Sequence, residues 1–172
     1  MIPQYIFEFL MRWEGGSKIT NHASDTGGLT KYGISQKHNP DVDVAALTEE
    51  DAKQVYFLRY WFPSKCPLLE NYMQLVQFNC AVNCGVSTAN KILQRVLGVT
   101  PDGVIGPITF KALKNYSGGA ELFVCKYLTF QVLFYLKIIL RNRSQEIWIK
   151  GWLRRSFSAC WVTAVNSFNY KV

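Results

Sequence analysis

The sequence is poor in histidine and shows no set of residues arranged to hold a metal ion. His22 and His38 are the two histidines among 172 residues, and five cysteines are scattered along the chain. Cys80 and Cys84 stand four residues apart, but no second cysteine pair completes a zinc quartet. An odd number of cysteines in a chain of this length indicates free, mostly buried thiols. We therefore expect no metal site and no fold that depends on disulfides.

Charged residues are also scarce. They make up 18% of the chain, whereas hydrophobic residues make up 49%. These proportions exclude a disordered tail or a polyelectrolyte, because such chains lack the apolar surface that offsets the entropy of ordering. The length fits one domain, or one domain with a small appendage. No long linker, internal repeat or low-complexity tract divides the sequence.

Acidic residues are few in the second half of the chain. Residues 87–172 contain 12 basic and 3 acidic residues, whereas residues 1–86 contain 7 basic and 9 acidic residues. This asymmetry predicts an anionic partner for the second half, which by charge alone is nucleic acid, a membrane surface or a cell-wall polymer. No zinc-finger or glycine-rich nucleotide fingerprint is present, so we expect no nucleic-acid partner.

The N-terminal segment lacks the features of a secretory leader. Glu8 is acidic, no basic residue precedes the first apolar residues, and no small-residue cleavage site follows. We therefore expect synthesis in the cytoplasm without a signal peptide. Residues 122–140 are apolar and nearly long enough to span a bilayer, but they include Lys126, Gln131 and Lys137. A helix buried in the protein is the favoured interpretation, without stable membrane insertion.

The periodicity of apolar residues predicts a mainly α fold, in the α+β class. Apolar residues three and four positions apart predict a helix that ends at Gly15, and Thr48 is placed to cap another. Breaks are expected near Gly85 and at residues 117–119. We expect a helical bundle with a small β-hairpin near residues 29–35.

Two carboxyl groups near the N-terminus are candidates for catalysis. Glu14 ends a predicted helix, where aligned backbone carbonyls disfavour a charged carboxylate and favour its protonated form. Such a group can act as a general acid. Asp25 lies in a glycine-rich loop, where it is expected to be ionised, and Thr30 is placed to help it hold a water molecule. The alternative is structural: Glu14 only ends a helix, and Asp25 forms a turn.

The same segment resembles a known family. Residues 14–16 read E-G-G and residues 25–35 read D-x-G-G-x-T-x-Y-G-I-S, a pattern similar to the signature of the glycoside hydrolase family 108 N-acetylmuramidases. Residues 47–52, L-T-E-E-D-A, resemble the family's next helix, and residues 78–85, F-N-x-x-V-N-x-G, resemble its central helix.

The second half resembles the peptidoglycan-binding-type region that accompanies this catalytic region. The similar segments are L-Q-x-x-L-G at residues 93–98, D-G-x-I-G-P-x-T at residues 102–109 and G-W-L-R at residues 151–154. The resemblance implies two regions, a catalytic region at residues 1–87 and a peptidoglycan-binding-type helical region at residues 88–172, packed as one compact unit. The 102–109 loop itself is expected to be structural, since Asp-Gly and Gly-Pro pairs suit turns and helix starts anywhere.

The resemblance implies a lysozyme-like fold and cleavage of the β-1,4 bond between N-acetylmuramic acid and N-acetylglucosamine. Glu14 matches the catalytic acid, and Asp25 and Thr30 match the positions that hold the water. Tyr32 lines the sugar cleft or, as an alternative, packs on the core. Asn83, in the central-helix motif, is the other expected substrate-binding residue. No metal or organic cofactor is implied.

The implied partners are peptidoglycan glycan strands and a holin-type protein that releases the enzyme to the cell wall or periplasm, as phage endolysins are released to lyse bacteria. A monomer is expected. Two positions depart from the family, because Asn79 stands where many relatives have an acidic residue and Gln131 where they often have a basic one. If the acid assists catalysis, activity is reduced. The alternative function is therefore a catalytically weak or inactive cell-wall-binding protein.

Overall fold

The computed structural model describes residues 1–20 and 28–168, with side chains as far as residue 166. Seven α-helices and one two-stranded antiparallel sheet lie in this part of the chain, which confirms the mainly α fold with a small hairpin. Backbone contacts group the chain into two units, residues 1–59 and residues 60–172. The boundary between these two contact units lies between residues 59 and 60. The boundary expected between residues 87 and 88, which separates a catalytic region from a peptidoglycan-binding-type region, stays a prediction.

Helix α1 of the first unit spans Gln4–Glu14. Its buried side chains repeat at helical spacing and are Ile6, Phe7, Phe9 and Leu10. The helix ends because Gly15 adopts a left-handed backbone conformation with φ of 82°, which a glycine reaches without steric cost. The predicted end of the helix at Gly15 is thus confirmed.

The hairpin consists of β1, Thr30–Lys31, and β2, Ile34–Ser35. Thr30 pairs with Ser35, and Lys31 pairs with Ile34, so the turn contains only Tyr32 and Gly33. Both turn residues have positive φ, as a two-residue turn of type I′ requires.

Helix α2 spans Glu49–Tyr56 and continues into a π-helical turn at Phe57–Trp61, which the sequence pattern did not predict. The Thr48 hydroxyl accepts a hydrogen bond from the Asp51 backbone N–H, and the Asp51 carboxylate accepts one from the Thr48 backbone N–H. This reciprocal cap confirms the predicted role of Thr48.

The second unit is helical throughout its described part. It contains α3 (Asn71–Cys84), α4 (Val86–Val96), α5 (Pro107–Lys114), α6 (Gly119–Arg141) and α7 (Ile149–Phe168), with 3-10 turns at Cys66–Leu68 and Arg143–Trp148. Gly85, with φ of 86°, separates α3 from α4. The core lies between α3, α4 and α6, where Met73, Ile92, Leu93, Phe123 and Tyr127 are almost completely buried. The break expected near Gly85 is confirmed.

The loop before α5 is fastened to α4 by Gln94. Its buried amide donates to Asp102 Oδ1 at 2.6 Å and to the Val104 carbonyl at 3.0 Å, and its carbonyl accepts from the Gly103 N–H at 2.7 Å. Asn90 also donates to the Gly103 carbonyl, at 3.1 Å. These bonds give the loop a structural role of the kind expected from its Asp-Gly turn.

Helix α6 is buried along one stripe only. Phe123, Tyr127, Gln131 and Tyr135 point into the unit, whereas the large apolar side chains of Leu122, Leu133, Leu136 and Leu140 are exposed. Among the described residues it is the one helix that is long and apolar enough to cross a membrane, judged by length and composition. The expectation that residues 122–140 form a buried helix is therefore wrong for the outward face, because the neighbouring helices cover only the inward stripe.

Candidate active site at the end of the first helix

Glu14 is the last residue of α1, and its side chain is partly exposed. The chain turns directly after it, because Gly15 and Gly16 both have positive φ. The Tyr32 backbone N–H donates to the Gly16 carbonyl at 2.9 Å. This bond holds the hairpin turn against the end of α1, so the position of Glu14 is set by the hairpin as well as by its own helix.

The Glu14 side chain packs closely against the backbone of Gly33. A β-carbon placed on Gly33 would lie 2.7 Å from Glu14 Oε2, 2.7 Å from Glu14 Cβ and 2.7 Å from the Tyr56 hydroxyl oxygen. Real β-carbons do not approach other atoms so closely. The carboxyl of Glu14 and the phenol of Tyr56 thus converge on one point, which is open only because residue 33 is glycine.

Tyr56 ties three elements of the first unit together. Its hydroxyl donates to the Tyr32 carbonyl at 2.8 Å, and its ring packs edge-on against Phe7 of α1 at 6.4 Å between centroids. The residue is 3% exposed. Because a buried hydroxyl needs a hydrogen-bond partner, this bond fixes both the hairpin turn and the phenol beside Glu14.

The other predicted residues of the first unit lie in or near the hairpin. The Thr30 hydroxyl donates to the Gly28 carbonyl at 3.2 Å, and Thr30 forms a backbone bridge with Thr20. Tyr32 is 9% exposed, with Lys31 Nζ 5.7 Å from the centroid of its ring. Asp25 lies outside the described residues. The structure therefore brings Thr30 and Tyr32 into the hairpin next to Glu14, and the catalytic and sugar-binding roles of all four residues stay predictions.

Asn83 belongs to the second unit, where its amide donates to the Tyr135 hydroxyl at 2.8 Å. Gln131 donates to the same oxygen at 2.8 Å, and the Ser156 hydroxyl lies 3.2 Å from it. Burial raises the pKa of Tyr135, so its hydroxyl stays neutral. Asn83 thus takes part in an internal hydrogen-bond network, and its role in substrate binding remains a prediction.

The two departures from the family both lie in this internal region. Asn79 Oδ1 accepts a hydrogen bond from the Arg155 Nε at 2.7 Å, and both side chains are buried. An acidic residue at position 79 would place a full negative charge beside this guanidinium, where Asn79 offers only a dipole. Gln131 donates a neutral hydrogen bond to Tyr135, where a basic residue would supply a positive charge. Both departures therefore replace a charged side chain by a neutral one in buried hydrogen-bonded contacts.

Gly33 and Tyr56 are the site residues that sequence reasoning did not single out. Gly33 is one position of the motif at residues 25–35, and Tyr56 lies beyond the L-T-E-E-D-A segment of the next helix. The available signal was the Tyr-Gly pair between two short strands, since a two-residue hairpin turn requires positive φ at both positions. The approach of Tyr56 to that turn has no signature in the sequence, because 23 positions separate it from Gly33.

Comparisons with known proteins agree with this architecture. Residues 7–85 match the family model of Glycosyl hydrolase 108, and residues 88–157 match that of the Predicted Peptidoglycan domain. The chain is similar to the structure of SagA from Brucella abortus, with 25% sequence identity and a TM-score of 0.75. The similarity covers 94% of this chain and 92% of that chain. No curated protein matches the sequence.

The mainly α lysozyme-like fold and the two family matches define a glycoside hydrolase region followed by a peptidoglycan-binding-type region. The family matches identify residues 7–85 as a glycosyl hydrolase 108 region and residues 88–157 as a predicted peptidoglycan domain. The protein is a peptidoglycan hydrolase of the lysozyme type.

Proposed function

We propose that the protein is an N-acetylmuramidase, which cleaves the β-1,4 bond between N-acetylmuramic acid and N-acetylglucosamine with Glu14 as general acid. The observation that carries the proposal is the placement of the Glu14 carboxyl over Gly33 and beside the buried Tyr56 hydroxyl. This placement puts the carboxyl at a defined position beside the hairpin. General acid catalysis requires such positioning within hydrogen-bond reach of the leaving oxygen.

In the proposed reaction Glu14 donates its proton to the glycosidic oxygen as the bond to the anomeric carbon breaks. Asp25 accepts a proton from a water molecule that attacks the opposite face of the sugar ring, and Thr30 helps to hold that water. This is a single displacement, which inverts the anomeric configuration. It requires the two carboxyl groups to stand roughly 6.5–9.5 Å apart, so that a water molecule fits between Asp25 and the sugar.

The end groups of the products test the bond and the stereochemistry. Purified peptidoglycan is digested, reduced with borohydride and hydrolysed, and a muramidase leaves N-acetylmuramic acid as the newly reduced sugar. Reduced N-acetylglucosamine would show that the other bond is cut and would overturn the proposal. Early-time NMR of the product should show the α-anomer, and a β-anomer would exclude the single displacement.

A cell-wall-binding function is the second candidate, because the region that matches the peptidoglycan domain is strongly basic. Residues 88–157 contain 11 basic and 3 acidic residues, and bacterial cell walls carry many anionic groups. Co-sedimentation with insoluble peptidoglycan measures this binding separately from cleavage. Equal binding by wild type and by a Glu14→Gln variant, together with no release of soluble fragments by either protein, would favour binding alone.

The site of action follows from the same proposal. A bacteriolytic enzyme of the endolysin type, made in the cytoplasm as a monomer, reaches its substrate only after release to the cell wall. A holin-type pore would provide that release. Lysis from within on co-expression with a holin, and none on expression alone, would support this route.

A further inference from the structure

A cationic groove lies between α4 and α6 in the second unit, which does not contain Glu14. It has a volume of about 400 Å³. Lys91 and Arg95 border it from α4, and Lys137 and Arg141 border it from α6. Each pair is spaced four residues apart, so each presents two positive charges along one face of its helix. We refer to these four residues as the groove cations.

The groove cations are not neutralised by ion pairs within the described part of the chain. The cations that form salt bridges there are Lys53, Arg59 and Arg143. Lys91 is close enough to Asp102 to help lower the pKa of that carboxyl, but the main cause is the hydrogen bond from Gln94. Four like charges around one groove repel each other, and this repulsion is relieved when an anion binds.

The rest of the lining from α6 is apolar. It consists of Phe130, Leu133, Phe134 and Ile138. Leu133 is 46% exposed, and farther along the same outward side of α6 Leu140 is 74% exposed. A purely polar anion would satisfy the cations but would leave this apolar surface in water. The groove therefore fits a molecule with an anionic head and an apolar body.

We propose that the groove between α4 and α6 binds the headgroup of an anionic phospholipid at a bilayer surface. The groove cations contact the phosphate, and Phe130, Leu133 and Phe134 contact the first methylenes of the acyl chains. Charge complementarity favours this occupant over a second copy of the chain with the same groove facing it, because the groove cations of the two copies would repel each other. Lipid binding of this kind is peripheral, since Tyr127, Gln131 and Tyr135 keep the inward stripe of α6 packed in the protein.

The first test compares two double variants that remove the same charge. Lys137→Gln/Arg141→Gln removes two groove cations, and Lys111→Gln/Lys114→Gln removes two exposed cations of α5 that do not line the groove. Binding of the full chain is measured by co-sedimentation with vesicles of phosphatidylcholine alone or mixed with phosphatidylglycerol. We expect binding only to the mixed vesicles, weaker at high salt, and roughly 25-fold weaker for the groove variant.

Equally weakened vesicle binding in the two double variants would overturn the proposal. It would show that the vesicles attract the net positive charge of the protein and do not bind at the groove. Equal binding of wild type to both kinds of vesicle would overturn it as well. Circular dichroism of each variant confirms that the helices remain folded.

The second test separates a lipid from a soluble polyanion. Leu133→Asn removes an apolar side chain of the groove, and Ile108→Asn removes one that is 76% exposed on α5. Leu133→Asn should weaken binding to the mixed vesicles but not to soluble polyphosphate, whereas Ile108→Asn should alter neither. Unchanged vesicle binding by Leu133→Asn would assign the groove to a polyanion and overturn the proposal.

Discussion

Gly33 combines an unusual backbone conformation with close packing against Glu14, the proposed general acid. Its φ of 72° favours glycine, and its missing side chain leaves room for Glu14 and Tyr56. The neighbouring Tyr32 has φ of 53° without being glycine, so the turn keeps an uncommon conformation. The hydrogen bonds from Tyr56 to the Tyr32 carbonyl and from the Tyr32 N–H to Gly16 hold it there.

Gly33→Ala should lower activity more than its effect on stability explains. The strain at positive φ costs roughly 1–2 kcal/mol, and the new β-carbon displaces the Glu14 carboxyl. A displacement of this kind lowers turnover by roughly 10²-fold. Turnover of peptidoglycan and urea unfolding measure the two effects separately.

Gly98→Ala is the matched control for this substitution. Gly98 has the same φ of 72°, but nothing lies within 4 Å of an added β-carbon. It should lose similar stability and keep its activity. Wild-type turnover in Gly33→Ala would show that the position of Glu14 does not depend on Gly33.

The elements differ in how far the sequence predicts them. The ends of α1 and α3 follow from glycines with positive φ, and the start of α2 follows from the Thr48 cap. Each of these signals is local, and each prediction is confirmed. The one-sided burial of α6 and the π-helical turn after α2 depend on neighbouring elements, so apolar periodicity did not predict them.

The sequence likewise predicts only part of the candidate site. The motif gave Glu14 and the hairpin, because glycines and a helix end are visible in the sequence. The convergence of Glu14 and Tyr56 on Gly33 depends on tertiary packing between α1, the hairpin and α2. The groove cations of α4 lie 42 to 50 positions before those of α6, so only the folded chain brings them together.

The loop between α4 and α5 should make stability depend on pH. The hydrogen bond from Gln94, then that from the Val104 N–H, lowers the pKa of Asp102 in the folded protein. A carboxyl with a lowered folded-state pKa stabilises the protein above its unfolded-state pKa, and this contribution is lost as pH falls through the folded value. The free energy of unfolding should therefore fall on acidification below about pH 4.

Asp102→Asn removes this titration and keeps a side-chain oxygen that can accept from Gln94. Urea unfolding at pH 7 and at pH 3 should show wild type more stable than the variant at neutral pH, with a smaller difference in acid. A difference that stays constant with pH would show that ionised Asp102 does not stabilise the loop.

At the scale of the whole molecule, most basic residues and the two carboxyl groups proposed for catalysis lie in different halves of the chain. Glu14 and Asp25, the carboxyl groups proposed to act on the sugar, lie in the half with more acidic than basic residues. The basic half coincides with the region that matches the predicted peptidoglycan domain. Of the partners that charge alone allowed, the family match selects the cell wall as the substrate, and the groove between α4 and α6 adds the membrane surface as a second anionic partner in our proposal.

The central claim is that Glu14 is the general acid, and the rate of peptidoglycan clearing by a Glu14→Gln variant tests it most directly. Glu8→Gln is the matched control, because Glu8 is an exposed glutamate on the same helix. With both variants folded as judged by circular dichroism, Glu14→Gln should clear a peptidoglycan suspension roughly 10²- to 10⁴-fold more slowly than wild type, and Glu8→Gln should match wild type. Clearing by Glu14→Gln at the wild-type rate would contradict the claim.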